Sequence, residues 1–67
     1  MAITLRAARV NAGLTQMEAA KQLEITRGTL ASYEMYRTKP DIERAKQIAR
    51  LYGTTVDSII FLPNDCA

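Results

Sequence analysis

The sequence predicts an all-α fold, a compact five-helix bundle built from 67 residues that form one small domain. Three observations lead there. Apolar residues recur at helical spacing, interrupted by few Gly and Pro residues. No stretch sustains the alternation of a half-buried strand, and β-branched residues are scattered. A capping residue precedes each periodic segment. With 48% hydrophobic and 24% charged residues, the composition is globular rather than disordered. A chain this short buries only about 60% of the surface it exposes when unfolded, so its apolar residues must be used economically.

Each element has its own local signal. Thr4 can cap a first helix from Leu5 to Asn11, with Gly13 placed just past its end. Thr15-Gln16-Met17-Glu18 has the form of a capping box and opens a second helix from about Gln16 to Leu23. Thr26 caps a third, from Arg27 to about Met35. Asp41, after Pro40, caps a fourth that continues to Tyr52 and stops at Gly53. Thr55 caps a short fifth, Val56 to Phe61, which Pro63 terminates. The predicted domain covers 1–62, and 63–67 form a tail containing Cys66. The expected core combines Leu5, Ala8 and Ala12; Ala19, Ala20 and Leu23; Leu30 and Tyr33; Ile42, Ala45, Ile48, Ala49 and Tyr52; and Val56, Ile59 and Ile60.

Several functions are excluded by residue type. The chain has no His and a single Cys. A Cys/His zinc site, a disulfide framework, a Ser-His nucleophile and a His acid–base pair are all ruled out. Ser32 and Ser58 have no base at helical spacing, and Asp41 and Glu43 do not share a helix face. No apolar run approaches the ~18–20 residues of a membrane span, and nothing resembles a signal peptide. The expectation is a protein with no catalytic residues, no metal, no cofactor, no small-molecule ligand and no membrane partner.

The informative segment is Gln16 to Met35, two short helices separated by Glu24-Ile25-Thr26. A turn this short forces a steep crossing, which needs a small residue such as Ala20 at the contact. This is a helix-turn-helix (about 16–35), whose second helix enters the DNA major groove. Stepping about 100° per residue gathers Leu30, Tyr33 and Glu34 on the inner face of that helix. Gly28, Ala31 and Ser32 then face outward, with Arg27 at the exposed N-terminal edge. Arg27 is the main candidate for reading a base, bidentate to guanine; a solvated or phosphate-facing arginine is the alternative. Ser32 can donate or accept, Ala31 can touch a thymine methyl, and Gly28 lets the backbone approach closely. Thr26 and Thr29 offer hydroxyls to phosphate. The charge is also informative once divided. Residues 1–40 hold six basic and three acidic side chains (+3), and residues 41–67 hold three and four (−1), which together give the net +2.

At this point the chain resembles the Cro/repressor-type (XRE-like) helix-turn-helix family of phage and bacterial regulators, from about Leu5 to Ile60. The resemblance is carried by Leu5-Arg6-x-x-Arg9, Gly13-Leu14-Thr15-Gln16, Ala20-x-x-Leu23, Ile25-Thr26-Arg27, Leu30-x-x-Tyr33-Glu34, Lys39-Pro40 and Ala49-x-x-Tyr52-Gly53-Thr54-Thr55-Val56-Asp57. It implies a lambda-repressor-like fold, a bacterial cytoplasmic location and double-stranded DNA as partner. It also implies phosphate contacts from Gln16, Arg37, Thr38 and Lys39. Arg9 and Glu34 fall near the apolar faces of their helices, and the resemblance implies that they form a partly buried ion pair. Two positions depart from the family pattern. Glu24 stands where Gly is usual in the turn, and Met35-Tyr36-Arg37 lacks the Gly common after the recognition helix. Tyr36 is then either packed back or exposed.

A 67-residue reader with few base contacts would bind one half-site weakly. Two copies on a palindromic or pseudo-palindromic operator would double those contacts. One helix face can bury only about half of the run Ile59-Ile60-Phe61-Leu62, which either closes the core or places Phe61 or Leu62 at a dimer contact. At this length no separate effector domain is expected. The expected function is therefore sequence-specific regulation of transcription, as a Cro-like phage or prophage repressor acting by operator occupancy. An antitoxin, a restriction–modification controller, or a helical protein-interaction module of the same fold are the alternatives.

Overall fold

The computed structural model describes residues 2–61. Its elements run β1 (Ile3–Thr4), α1 (Leu5–Asn11), α2 (Gln16–Leu23), α3 (Arg27–Glu34), α4 (Ile42–Leu51), a 3₁₀ turn (Val56–Ser58) and β2 (Ile59–Ile60). The four α-helices start where their caps predict. Thr4 Oγ1 accepts from the Ala7 amide at 3.0 Å, and Thr26 Oγ1 from Thr29 at 3.1 Å. Asp41 Oδ1 accepts from Arg44 at 2.8 Å. The capping box is complete: Glu18 donates its amide to Thr15 Oγ1 (3.1 Å), and Thr15 donates its own to Glu18 Oε1 (2.9 Å). Each bond satisfies an amide that the helix leaves without a partner, worth about 1 kcal/mol.

The predicted fifth helix does not form. Val56 to Phe61 gives one 3₁₀ turn, and Ile59 and Ile60 then extend as β2, parallel to β1 with Ile3 opposite Ile59 and Thr4 opposite Ile60. Two consecutive β-branched residues lose side-chain freedom in a helix, and here the extended N-terminal segment offers their backbone a partner. Thr55 makes no capping bond; its hydroxyl pairs instead with Ser58 Oγ at 2.9 Å. The described residues thus form four α-helices, not five. Leu62, Pro63 and Cys66 lie outside the described residues.

Leu5, Leu30 and Ile48 are fully buried and bring α1, α3 and α4 together at the centre of the core. Ala8, Ala19, Ala20 and Ala49 are buried around them, small enough to let the helices approach closely. Ile25 plugs the turn between α2 and α3, and Tyr33, Val56 and Phe61 pack partly buried against the core. Ile42 is a second correction. It was expected inside but is 61% exposed, because it sits at the first position of α4 and at the edge of the apolar stripe. Arg44 donates to the Leu23 carbonyl at 2.7 Å, ties α4 to α2 and supplies a partner to the α2 C-terminus. Among the described residues, no helix is long and apolar enough to cross a membrane.

The two departures from the family pattern share one backbone solution. Glu24 (φ 60°, ψ 41°) and Tyr36 (φ 60°) both adopt the left-handed conformation that glycine takes more easily. Each is followed by an amide that bonds back to close its helix: Ile25 to the Ala20 carbonyl at 3.0 Å, and Arg37 to that of Ser32 at 2.9 Å. The conformation costs roughly 1–2 kcal/mol for a residue with a Cβ. Tyr36 is packed back rather than exposed: it is half-buried, and its hydroxyl donates to the Ile60 carbonyl at 3.3 Å.

Candidate nucleic-acid interface

The site is built on the α2–α3 corner. The αL turn at Glu24 and the plug at Ile25 fix the crossing, and Gln16 at the start of α2 then lies within side-chain reach of both Glu34 and Arg27. One chain of side chains spans the two helices. Arg9, from α1, donates through Nη1 to the Leu14 carbonyl at 2.8 Å and through Nε to Glu34 Oε2 at 2.7 Å. Glu34 Oε1 accepts from Gln16 Nε2 at 2.9 Å and from Arg9 Nη2 at 3.4 Å. Gln16 Oε1 in turn accepts from Arg27 Nη1 at 3.3 Å.

The Arg9 and Glu34 side chains are only 10% and 4% exposed. Their charges cancel each other, and both carboxylate oxygens are bonded, which is the condition under which a buried pair is tolerated. The ion pair implied by the family resemblance is therefore present. The resemblance gave Gln16 a phosphate contact, and the structure gives it a further connection. Its carbonyl holds the exposed Arg27, and one Nε2 hydrogen is engaged by Glu34. The second Nε2 hydrogen remains available to an acceptor.

The other outward positions are distributed as follows. Gly28 is exposed, and a Cβ built there meets only Thr26 Oγ1, at 3.9 Å. Internal packing therefore does not demand glycine at this position. Ala31 and Ser32 are half-buried on the adjoining face. Thr26 uses its hydroxyl oxygen to cap α3, and the Thr26 and Thr29 hydroxyls pair with each other at 2.9 Å. Arg37, Thr38 and Lys39 are exposed, and their side chains make no hydrogen bond among the described residues. Phe61, half-buried, lies at the far edge of the core beside β2.

Two residues absent from the sequence-level site belong beside it. Met35 caps the C-terminus of α3 and is 61% exposed. Continuing the wheel by about 100° per residue places it about 140° from Leu30, away from the buried side, a signal that helical spacing carries. Arg6 lines the open cleft of about 740 Å³ between α1 and α3, together with Val10, Gln16, Ala31 and Met35. Behind the site, the Tyr52 hydroxyl is buried with no hydrogen-bond partner among the described residues. Burial first, and the Glu34 charge second, push its pKa up to about 12, with Arg9 acting in the opposite sense.

Residues 5–59 match the helix-turn-helix family. Over 56 residues the chain is 36% identical to the HTH-type transcriptional regulator ImmR of Bacillus subtilis (strain 168), an alignment covering 84% of this chain and 44% of that protein. The chain thus spans less than half the length of that relative. No solved structure gives a significant match.

Proposed function

The chain belongs to the helix-turn-helix family, and we propose that it is a non-enzymatic, sequence-specific double-stranded-DNA-binding transcriptional regulator. In this reading it represses as a Cro-like phage or prophage protein does, by occupying an operator. The observation that carries the reading is the Arg27–Gln16 hydrogen bond (3.3 Å), which joins the exposed start of α3 to the start of α2. An arginine held at that corner is aimed along the face that a major groove would meet, with less side-chain freedom to lose on binding. Arg27 reads a base edge, and Gly28, Ala31 and Ser32 lie against the groove. Gln16, Thr26, Thr29, Arg37, Thr38 and Lys39 contact the phosphates on either side. Similarity to a protein described as a transcriptional regulator supports the same direction.

In the same reading the operator is palindromic or pseudo-palindromic, and Phe61 or Leu62 lies at the contact between two copies. Selection of bound sequences from a random duplex pool tests the whole reading. An enriched, two-fold-symmetric site bound as a dimer, with affinity falling steeply with salt, is the expected result. Absent or salt-independent duplex binding would favour a protein-interaction module instead.

A further inference from the structure

We propose that Met35 reads the 5-methyl group of thymine in the major groove, which makes it a specificity-determining residue of the α3 surface. The inference rests on the DNA-binding reading above and states what one part of that surface recognises. Leu30 is fully buried and Glu34 is held inward by Arg9 and Gln16, so the inner side of α3 is fixed. Met35, at the C-terminal cap of α3, is 61% exposed and lines the cleft that Arg6, Val10, Gln16 and Ala31 also line. Among the described residues it is not part of the hydrophobic core.

The chemistry of the neighbours narrows the target. Ala31, one turn before Met35, has no polar group, and Ser32 brings one hydroxyl. Beyond Arg27 at the N-terminal edge, this side of α3 is poor in hydrogen-bonding groups. The major-groove edges of the bases present donors, acceptors and one apolar feature, the thymine C5 methyl. A flexible, polarisable thioether, only a weak acceptor, suits that methyl better than it suits the donors and acceptors. Val10, itself 57% exposed, lines the same cleft as Ala31 and Met35, and so extends the apolar surface toward α1.

The test uses the full chain and the duplex enriched from a random pool, resynthesised with deoxyuridine replacing one thymidine at a time. That replacement removes the methyl and keeps every hydrogen-bonding group. We expect one position in each half-site at which affinity falls about fourfold, the worth of one buried methyl. Met35→Ala should bind the thymine duplex more weakly by a similar factor, lose the deoxyuridine penalty at that position, and melt like the unaltered protein. Insensitivity to deoxyuridine at every position, or a penalty undiminished in Met35→Ala, overturns the assignment and leaves DNA binding standing. A pool that yields no enriched duplex overturns both.

Discussion

Arg9 Nε meets Glu34 Oε2 at 2.7 Å across the junction of α1 and α3, and neither side chain has appreciable access to water. Each charge is tolerable only because of the other. Arg9→Met or Glu34→Leu alone should therefore cost roughly 3–5 kcal/mol in urea denaturation, by stranding the remaining charge. A loss of that size is comparable to the whole stability of a domain this small. The double variant should recover a large part of it. Equal melting temperatures for Arg9→Met and the unaltered protein would refute the account.

Tyr52 makes stability fall at alkaline pH. Its folded pKa is raised to about 12, above the unfolded value of 10.0, so folding favours the neutral phenol. The contribution is full below about pH 10 and is lost as pH rises through about 12, where the folded state also ionises. Tyr52→Phe should flatten that decline in denaturation curves taken across the alkaline range. At neutral pH it should be neutral or slightly stabilising, because the hydroxyl it removes is buried without a partner among the described residues.

The two classes of proposed DNA contact should separate in binding measurements. Arg27→Ala should cost about 1–3 kcal/mol on the preferred site and relax base preference at one position. Lys39→Ala should weaken binding to all duplexes alike and reduce the salt slope by about one. Gln16→Ala should resemble a milder Arg27→Ala, since it frees the guanidinium and removes a donor to phosphate. Identical selectivity in Arg27→Ala and the unaltered protein would remove Arg27 from the base-reading role.

Glu24 holds a left-handed conformation that a residue with a Cβ adopts at a cost. Glu24→Gly relieves that cost but enlarges the freedom of the unfolded chain, so the net gain in stability should be at most about 1 kcal/mol. Thermal melting at fixed pH measures it directly. A marked loss would mean that the Glu24 side chain itself contributes to the turn.

Much of this was legible because the relevant signals are local. Thr4, Thr15, Thr26 and Asp41 each declare a helix start within four residues of sequence, and all four start there. The crossing of α2 and α3 follows from a turn of fixed length. The 3₁₀ turn and β2 were not legible, since Val56 to Phe61 has helical spacing and its strand partner lies at the opposite end of the sequence. Ile42 misled because periodicity reports the side of a helix and not how far the core extends along it. Within the site, Gln16 and Arg27 could each be nominated singly, but their contact depends on the angle between two helices. The packing of Tyr36 against β2 was equally hidden, because it depends on a strand that helical periodicity did not predict.

The parallel pairing of Ile3 with Ile59 also bears on the order in which the molecule assembles. The helices close through contacts of intermediate separation, such as Arg9 with Glu34 and Leu23 with Arg44, whereas this ladder must bring together segments separated by nearly the entire described chain. Its closure carries the largest chain-entropy penalty for only two residues per strand. The helices are therefore expected to form first and the ladder to close last. In the native protein the same pairing should open first, with amide protection at the ladder below that of Leu30 and Ile48. Because the Tyr36 hydroxyl is bonded to the Ile60 carbonyl, each such opening releases one restraint on the loop that carries Arg37 and Lys39.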